Sequence, residues 1–517
     1  MKTLRSYTCG KWHEATSGFV PLVDPCNEQT IAQVSSEGID FAAALEFARE
    51  TGGRALREMT IGQRAELLAG MSRVLHEHRQ ELIDLSLVNT GSTRKDAKFD
   101  IDGATFTLSH YAELGRSIGD RRTFIDGEGI QLGRSPRYWG QHLLLPRTGC
   151  AVHVNAFNFP AWGPAEKAAC ALLAGMPVIS KPATSSAWVT ERLVEIVVEA
   201  GLLPAGALSL ICGSTGDMLD RLGSQDVLAF TGSARTALAL RGKQNLLASG
   251  TPVNIEADSL NAAVLGPDVD DDSETWGLFL RDVEREITQK TGQKCTAVRR
   301  IIVPVSRLAA VQEALVERLS EVIVGNAASA ENVGMGPLNT RAQLQEVTRG
   351  VSQLRDEAEM VLGTGERVDG VGSPAGKGFF FGPTLLRARD PASAGVVHEL
   401  EVFGPVATLL TYDSTAVAAA GLVARGGGTL VTSVYSNDTK FLGEYLDHGG
   451  SMSGRLYMGS EKVAGQLAGS GLVMPQMLHG GPGRAGGGEE LGGMRGLDLY
   501  LQRVALTGDR SLVDRLA

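Results

Sequence analysis

The sequence predicts an α/β protein whose core contains a parallel sheet covered by helices. Its 517 residues are too many for one ordinary core, so two or three domains are expected. Between Cys150 and Val264, short apolar runs alternate with helical patterns, which is typical of βαβ units. Residues 40–114 carry apolar side chains three and four apart, as in amphipathic helices that cover a sheet. Such a sheet places ligand sites at the carboxyl ends of its strands.

The individual elements follow from local patterns along the chain. Residues 1–37 predict short strands and turns, and residues 121–150 predict a strand pair that projects from the body. In the alternating region we predict strands over 151–156, 177–181, 208–212, 227–230 and 252–256, with helices over 163–173 and 187–200. Further on we predict helices over 276–290 and 307–324, and strands over 298–303, 359–363, 379–386, 405–411 and 498–506.

Composition excludes several classes of protein. The net charge of −10 argues against binding to nucleic acid or to a membrane surface. The six cysteines are scattered, which favours reduced thiols over a disulfide framework or a metal site. The N-terminus lacks the apolar core of a signal peptide, and the apolar stretch 168–179 is broken by Gly175 and Pro177. These features predict a soluble cytoplasmic protein.

Two candidate catalytic residues occupy the ends of predicted elements. Cys295 lies in the connection between a helix and a strand, with Gly292 at the position of a helix C-cap, so its thiol can face a cleft. A lone cysteine is more often a small buried hydrophobe. Glu256 ends the strand TPVNIE and is a candidate general base, although a lone glutamate is more often a salt-bridged surface acid.

Three further segments follow predicted strands. Asn158 in the segment FNFP can cap the next helix or donate its amide to an oxyanion. Ser233 in FTGS is either a plain helix N-cap or part of a pyrophosphate-binding site. Lys181, beside Pro182, could bind ribose hydroxyls or a phosphate; the alternative interpretation is that it is a solvated surface lysine. The literal GxGxxG of residues 481–486 lacks a preceding strand and a following helix, so we reject it as a phosphate loop.

Together these segments resemble the aldehyde dehydrogenase superfamily over essentially the whole chain. The matching segments, in order, are AFNFP (156–160), VISKPA (178–183), FTGS (230–233), NIEADS (254–259), GQKC (292–295) and ELEVFGPV (399–406). The resemblance implies a Rossmann-like nucleotide-binding domain (1–125 and 151–257), an α/β catalytic domain (258–478) and a small β oligomerisation arm (126–150 and 495–517). It also implies a homodimer or a larger assembly of dimers.

The resemblance implies a role for each matching residue. Cys295 would be the nucleophile that carries a thiohemiacetal and then a thioester. The Asn158 amide and the Cys295 backbone N–H would hold the oxyanion, and Glu256 would activate the hydrolytic water. The expected contacts to a nicotinamide dinucleotide are Phe157, Lys181, Thr184, Gly232, Ser233, Glu401 and Phe403.

Two departures from the family pattern refine the expectation. Many members that prefer NAD carry a glutamate where this chain has Thr184, so we predict NADP as the cofactor, with NAD weaker. The segment EADSLN (256–261) replaces the glycine pair that usually follows the glutamate. With the glycine-rich tail, this segment resembles the CoA-linked semialdehyde dehydrogenases of aerobic benzoyl-CoA and phenylacetyl-CoA degradation.

The implied substrate is 3,4-dehydroadipyl-CoA semialdehyde. The alternatives are 3-oxo-5,6-didehydrosuberyl-CoA semialdehyde and a broad range of aliphatic aldehydes. A CoA-acylating dehydrogenase is disfavoured by Glu256, because activated water competes with the thiol of CoA. A cysteine hydrolase without a cofactor would need a histidine near Cys295, for which His153, His398 and His479 are candidates.

Overall fold

The computed structural model describes residues 1–466 and 469–516. Its strands are β1 (Lys2–Thr3), β2 (Ser6–Thr8), β3 (Lys11–His13), β4 (Val20–Val23), β5 (Thr30–Val34), β6 (Phe124–Gln131), β7 (Tyr138–Pro146), β8 (Ala151–Val154), β9 (Val178–Lys181), β10 (Leu208–Leu210), β11 (Val227–Thr231), β12 (Val253–Glu256), β13 (Ala262–Leu265), β14 (Arg300–Pro304), β15 (Ala358–Leu362), β16 (Thr384–Ala388), β17 (Val406–Tyr412), β18 (Thr429–Tyr435), β19 (Ser453–Gly459), β20 (Leu478–Gly480), β21 (Glu489–Leu491) and β22 (Leu501–Asp509). Its helices are α1 (Phe41–Phe47), α2 (Gly53–Glu58), α3 (Ile61–Glu77), α4 (Arg79–Thr90), α5 (Arg94–Ile118), α6 (Trp162–Ala174), α7 (Ala187–Glu199), α8 (Ala234–Arg241), α9 (Gln244–Ser249), α10 (Glu274–Thr288), α11 (Leu308–Ser320), α12 (Arg341–Leu354), α13 (Val396–Glu399), α14 (Ala416–Ala424), α15 (Thr439–Gly449) and α16 (Arg510–Leu516).

Two large mixed sheets organise the described residues. The first has the order β12-β11-β8-β9-β10-β2-β3 and is parallel from β12 to β10. The second has the order β15-β16-β17-β14-β13-β18-β19 and is parallel from β16 to β19. The chain leaves the first sheet at Glu256 and enters the second at Ala262, so Glu256 lies at the junction.

Helices cover both faces of the first sheet, as the sequence predicts. On one face, apolar residues of α3, α5 and α6, such as Leu68, Leu108 and Leu172, form one buried cluster with the sheet. On the other face, α1 and α8 contribute Leu45 and Leu240 to a second cluster. Because both faces are buried, the ligand-accessible edge of this sheet is the row of strand ends.

A smaller antiparallel sheet, with the order β22-β7-β6, forms the projecting strand pair and its partner. The predicted strand over 498–506 is partly wrong, because a 3-10 helix occupies Gly493–Tyr500 and β22 begins only at Leu501. The buried side chains of Leu497, Tyr500 and Leu501 are three and four residues apart, which is a helical rather than an alternating spacing.

Other predicted bounds shift for identifiable reasons. The helix predicted over 276–290 ends at Thr288, because Lys290 and Thr291 adopt left-handed backbone angles. The strand predicted over 379–386 is only β16, because Gly382 and Pro383 interrupt its first half.

The domain ranges stay predictions, and two of them include Leu467, Ala468 and Ala517, which lie outside the described residues. Among the described helices, none is both long and apolar enough to cross a membrane.

Candidate active site

A strained turn presents Cys295 to a cavity between the two large sheets. After α10, three consecutive residues have positive φ: Lys290 (53°), Thr291 (57°) and Gly292 (64°). Only glycine fits the third position, since a Cβ on Gly292 would lie 2.2 Å from the carbonyl oxygen of Gly404. The Thr291 hydroxyl donates to the Gly336 carbonyl at 2.9 Å and holds the turn. Strain of this kind persists only where surrounding contacts fix it, and it is frequent at functional sites.

Asn261 fixes the segment that follows this turn. Its amide nitrogen donates to the carbonyl oxygens of Cys295 (2.7 Å) and Ala297 (2.9 Å). Its amide oxygen accepts hydrogen bonds from the Ser259 hydroxyl (2.6 Å) and the Val431 N–H (3.0 Å). Asn261 and Ser259 both belong to EADSLN, so the departure from the family's glycine pair supplies a buried anchor for the nucleophile segment.

Cys295, Glu256 and His479 meet in this cavity. Cys295 Sγ lies 3.8 Å from His479 Nε2, and His479 Nε2 lies 3.3 Å from Glu256 Oε1. Glu256 and His479 are buried, whereas Cys295 is partly exposed, and all three line the same cavity. Cys295 is therefore not a buried structural thiol, and Glu256 is not a surface acid.

Burial and charge set the protonation states of the three groups. Burial raises the pKa of the Cys295 thiol well above its usual value, and the nearby Glu256 carboxylate raises it further. Burial also disfavours the Glu256 carboxylate, but the attraction of His479 and Lys167 prevails and lowers its pKa to about 2. The pKa of His479 is raised, because its attraction to Glu256 outweighs its burial. These directions describe a neutral thiol beside an ionised carboxylate–imidazolium pair.

Asn158 lines the same cavity and does not cap a helix. The N-cap residue of α6 is Ala161, which makes no side-chain cap. Instead, the Asp100 carboxylate accepts the N–H groups of Ala161 (3.2 Å) and Trp162 (2.9 Å). Within the described chain the Asn158 amide and the Cys295 N–H make no hydrogen bond with other residues. Both donors are therefore available to an oxygen of a bound molecule.

A buried ionic network adjoins the cavity. Lys167 Nζ lies 3.1 Å from Glu490 Oε2 and 3.4 Å from Glu166 Oε1, and the Asn254 amide donates to Glu490 Oε1 at 3.0 Å. Burial raises the pKa of Glu166 to about 7, with Lys167 opposing the shift. Glu166 and Lys167 also line the cavity with Cys295, so this network connects the cavity to a second, smaller pocket beside Glu490.

The remaining wall of the cavity is apolar. Phe99, Phe159 and Trp162 stack edge to face with ring centroids 5.3–6.1 Å apart, and Val473 completes this wall. The reactive groups thus lie at one end of a chamber whose aromatic side suits an aliphatic chain.

The residues expected to contact a nucleotide lie at the ends of β9 and β11. Lys181 is half-buried, its ammonium group makes no ion pair or hydrogen bond within the described chain, and burial lowers its pKa. Ser233 caps α8 through a long 3.4 Å contact to the Thr236 N–H. Asp258 Oδ1 already accepts the Ala234 N–H at 2.8 Å, so the end of α8 beside Gly232 offers fewer free donors than the sequence predicts.

Phe157, Phe403 and Glu401 lie together near the second sheet. The rings of Phe157 and Phe403 are perpendicular with centroids 6.0 Å apart, and the Arg299 guanidinium lies 5.3 Å from the Phe403 ring. Glu401 pairs with Arg299 at 3.4 Å and accepts the Ser259 N–H at 3.2 Å. Burial raises the pKa of Glu401 to about 7, with Arg299 opposing the shift.

The glycine-rich tail brings His479 to the site and is not a phosphate loop. Residues 481–486 directly follow β20, so the expectation that no strand precedes them is wrong; they contain a 3-10 turn (Gly483–Ala485) and lead into β21 rather than into a helix. Gly486 and Gly488 pack on β12, where a Cβ on Gly486 would lie 2.2 Å from the Ile255 carbonyl oxygen. The other two candidate histidines lie elsewhere: His153 contacts the Tyr500 hydroxyl, and His398 contacts Arg300.

The chain is similar to known proteins in sequence and in fold. The model of the "Aldehyde dehydrogenase family" matches residues 12–503. A curated relative from Aromatoleum evansii, 3,4-dehydroadipyl-CoA semialdehyde dehydrogenase, is 45% identical over 479 residues, which cover 93% of each chain.

Two solved structures share the fold. Betaine aldehyde dehydrogenase from Staphylococcus aureus, in complex with NAD+, has a TM-score of 0.84 at 24% identity, and the match covers 98% of this chain and 95% of that one. Lactaldehyde dehydrogenase from Escherichia coli has a TM-score of 0.85 at 22% identity, with 98% and 99% covered. The chain therefore belongs to the aldehyde dehydrogenase family.

Proposed function

We propose that this aldehyde dehydrogenase oxidises a CoA-linked semialdehyde, 3,4-dehydroadipyl-CoA semialdehyde, to the carboxylic acid with NADP as the oxidant. The observation that carries the proposal is the placement of Cys295, Glu256 and Asn158 at one end of an apolar chamber. The choice of substrate is supported by the 45% identity to the relative of that name.

The first step is attack of Cys295 Sγ on the aldehyde carbon. Burial keeps the thiol protonated, so its proton must leave as the C–S bond forms, and the Glu256 carboxylate is the nearby base that accepts it. The Asn158 amide and the Cys295 N–H, which have no partner within the described chain, donate to the oxygen of the thiohemiacetal.

The second step is hydrolysis of the thioester left on Cys295. Acceptance of a hydride from the thiohemiacetal carbon is the chemistry that a bound nicotinamide supplies. Glu256 first releases the thiol proton to solvent and then takes a proton from the water that attacks the thioester carbonyl; this second proton passes to the departing Cys295 sulfur, so the acid and the free thiol are released. His479, in contact with both groups, orients Glu256 between its two tasks.

The residues around the nucleotide side fit a nicotinamide dinucleotide. Lys181 is a half-buried cation without a protein partner, which suits ribose hydroxyls or a phosphate. Thr184 carries no charge, so it does not itself repel a 2′-phosphate, and it lines a cavity in which Arg341 pairs with Glu28. Phe403 and Glu401 would hold the nicotinamide end, with Phe157 beside them. These features favour NADP over NAD.

The lining of the chamber supports an acyl chain inside and a CoA nucleotide outside. The residues that line it are mainly apolar and aromatic beside the reactive groups, which suits a hydrocarbon chain rather than a nucleotide. Phe99, Phe159 and Trp162 would contact the hydrocarbon part, and the CoA part would remain at the mouth.

We also propose a cytoplasmic homodimer, or an assembly of such dimers, formed through the β22-β7-β6 sheet. The outer strands β22 and β6 have free edges in a single chain, and free edges favour pairing with another strand. Large apolar side chains are exposed on this sheet, including Ile130, Tyr138 and Val504. Sedimentation equilibrium would contradict the proposal if the chain were monomeric at micromolar concentration.

The substrate proposal is tested by steady-state NADP reduction with two substrates. The purified enzyme receives 3,4-dehydroadipyl-CoA semialdehyde or the same semialdehyde as its free acid. We expect kcat/KM to be at least about 100-fold higher for the CoA-linked substrate, equivalent to about 2.7 kcal/mol of transition-state binding. Equal efficiency would overturn the proposal, as would acyl transfer to added CoA. A higher kcat/KM for 3-oxo-5,6-didehydrosuberyl-CoA semialdehyde would contradict the proposed substrate and favour that alternative.

A further inference from the structure

The cluster of Cys295, Glu256 and His479 has a second chemical property besides catalysis. Each residue offers one ligand atom, and these three atoms lie within 4.8 Å of one another. A thiolate, an imidazole and a carboxylate are all ligands that Zn²⁺ uses in proteins. The residues are 39 to 223 positions apart in the chain, so no local motif predicts the cluster.

Two of the three separations between ligand atoms are close to those of a tetrahedral zinc centre, and the third, between Cys295 and Glu256, is within 4.8 Å. With bonds of about 2.3 Å to sulfur and about 2.0 Å to nitrogen and oxygen, tetrahedral angles place sulfur about 3.6 Å from nitrogen and nitrogen about 3.3 Å from oxygen. The observed separations are 3.8 Å for Cys295 Sγ to His479 Nε2 and 3.3 Å for His479 Nε2 to Glu256 Oε1. An ion could bind with only small side-chain movements.

The state of Glu256 also favours a cation. Its Oε1 atom is buried and makes no aligned hydrogen bond, although His479 Nε2 lies at ion-pair distance. A divalent ion would be neutralised by one thiolate and one carboxylate, so the filled site would bury no net charge. The Cys295 thiol and the His479 imidazolium would each release one proton to solvent on binding, because only a thiolate and a neutral imidazole nitrogen are metal ligands.

Access and coordination number are also compatible with an ion. Cys295 is partly exposed to the chamber, which provides an entry path and space for a water as the fourth ligand. Soft sulfur and borderline nitrogen donors select Zn²⁺ over Mg²⁺ or Ca²⁺, which prefer oxygen ligands.

We propose that Cys295, Glu256 and His479 form a reversible, inhibitory Zn²⁺ site. Bound zinc would occupy the sulfur that attacks the aldehyde and the carboxylate that serves as base. The inhibitory consequence rests on the roles proposed above for Cys295 and Glu256, whereas zinc binding itself does not.

The test measures binding separately from activity. Zn²⁺ alone is titrated into the full-length enzyme by calorimetry, and Co²⁺ is added to a second sample to detect thiolate-to-metal charge-transfer absorption. The variants are His479→Asn and Cys295→Ser, and the matched controls are His448→Asn and Cys9→Ser, whose residues lie outside the cluster. Circular dichroism of each variant, together with a second substitution at the same position, His479→Gln, shows whether a loss of zinc binding reflects misfolding.

We expect one Zn²⁺ per chain, a Co²⁺ charge-transfer band, and inhibition of NADPH formation that a chelator reverses. Loss of an outer-sphere partner alone weakens metal sites by about 10- to 100-fold, so each cluster variant should weaken Zn²⁺ binding by about 100-fold or more. The controls should bind as the wild type does.

Unchanged affinity in folded His479→Asn, or loss of binding in Cys9→Ser, would overturn the zinc site. Binding weaker than about millimolar would also overturn it, because a three-ligand site should bind far more tightly. Zinc binding to an enzyme that oxidises no aldehyde would support the site and contradict the proposed function. An active enzyme that binds no zinc would contradict the zinc site and leave the proposed function supported.

Discussion

The two sides of the active cleft differ in how firmly the protein holds their functional groups. On the nucleophile side, Asn261 holds the carbonyl oxygens of Cys295 and Ala297, and the preceding turn is locked by Thr291. On the nucleotide side, Lys181 has no partner within the described chain, and Ser233 is exposed with only a long capping contact.

This difference has a physical reason. A nucleophile must be held close to its reactive position before the substrate arrives, because misplacement is costly to the rate. Groups that bind a soluble cofactor need the opposite property, because partners supplied by the protein would have to be displaced on every turnover. Changes to the anchors of the nucleophile should therefore lower both rate and stability, whereas changes at loosely held nucleotide-side residues such as Thr184 should affect cofactor choice.

Cys295→Ala should produce the largest effect. Without the thiol no thiohemiacetal forms, so NADPH formation should fall by at least about 10⁴-fold, while the melting temperature changes little because Cys295 is partly exposed. The matched control is Cys9→Ala, which removes another partly exposed thiol and should retain full activity. Residual Cys295→Ala turnover within about tenfold of the wild type would contradict the covalent mechanism.

Asn261→Ala should lower both stability and rate. The substitution leaves two carbonyls, one hydroxyl and one N–H without their partner in a buried region, which should cost about 2–4 kcal/mol of unfolding free energy. The kcat should fall as well, because the Cys295 segment loses its anchor. Asn326→Ala, which breaks hydrogen bonds in a local turn, should cost stability without changing kcat. Denaturant titration and steady-state kinetics measure the two effects.

Thr184→Glu should leave stability unchanged and alter cofactor choice. A carboxylate at this position would repel a 2′-phosphate and accept hydrogen bonds from ribose hydroxyls instead. The ratio of kcat/KM for NADP to that for NAD should drop by roughly tenfold or more, equivalent to about 1.4 kcal/mol. Thr184→Ser keeps a neutral hydroxyl and should preserve the ratio. An unchanged ratio in Thr184→Glu would show that cofactor choice is decided elsewhere.

Glu401 should make a smaller, pH-dependent contribution to stability. The folded chain keeps the Glu401 proton up to about pH 7, whereas the unfolded chain loses it near pH 4.3. Between these values the folded state binds more protons, so the contribution of Glu401 to stability declines as the pH rises and is constant above about pH 7.

Glu401→Gln removes this titration. From about pH 5 to about pH 8, the variant should gain roughly 1–3 kcal/mol of unfolding free energy relative to the wild type. The exposed Glu399→Gln serves as the control and should show no such change. If the unfolding free energy of Glu401→Gln relative to the wild type also stays constant with pH, the raised pKa of Glu401 is contradicted.

The sequence predicts the parts of this molecule that depend on local patterns. The strands and helices between Ala151 and Glu256 follow from apolar runs and helical spacing, and their bounds agree with the structure to within a few residues. Glu256 and Cys295 could be singled out because each follows a patterned element, and the parallel sheet brings strand ends to one edge.

The rest of the site depends on long-range packing that carries no local signal. His479 and Glu490 lie in a glycine-rich tail in which Gly486 and Gly488 pack against β12; His479 thereby reaches Cys295, and Glu490 reaches Lys167 beside the cavity. The left-handed angles of Lys290 and Thr291 could not be predicted, because neither residue type favours that conformation. Surrounding contacts impose it.

The central claim is that an acyl group passes through Cys295 and that Glu256 releases it. The most direct test is intact-protein mass spectrometry of Glu256→Gln after mixing with 3,4-dehydroadipyl-CoA semialdehyde and NADP. We predict that about one acyl group per chain accumulates on Cys295 with one equivalent of NADPH, formed more slowly than in the wild type because the thiol has lost its base, and that turnover almost stops thereafter. Normal turnover with no added mass would contradict the account.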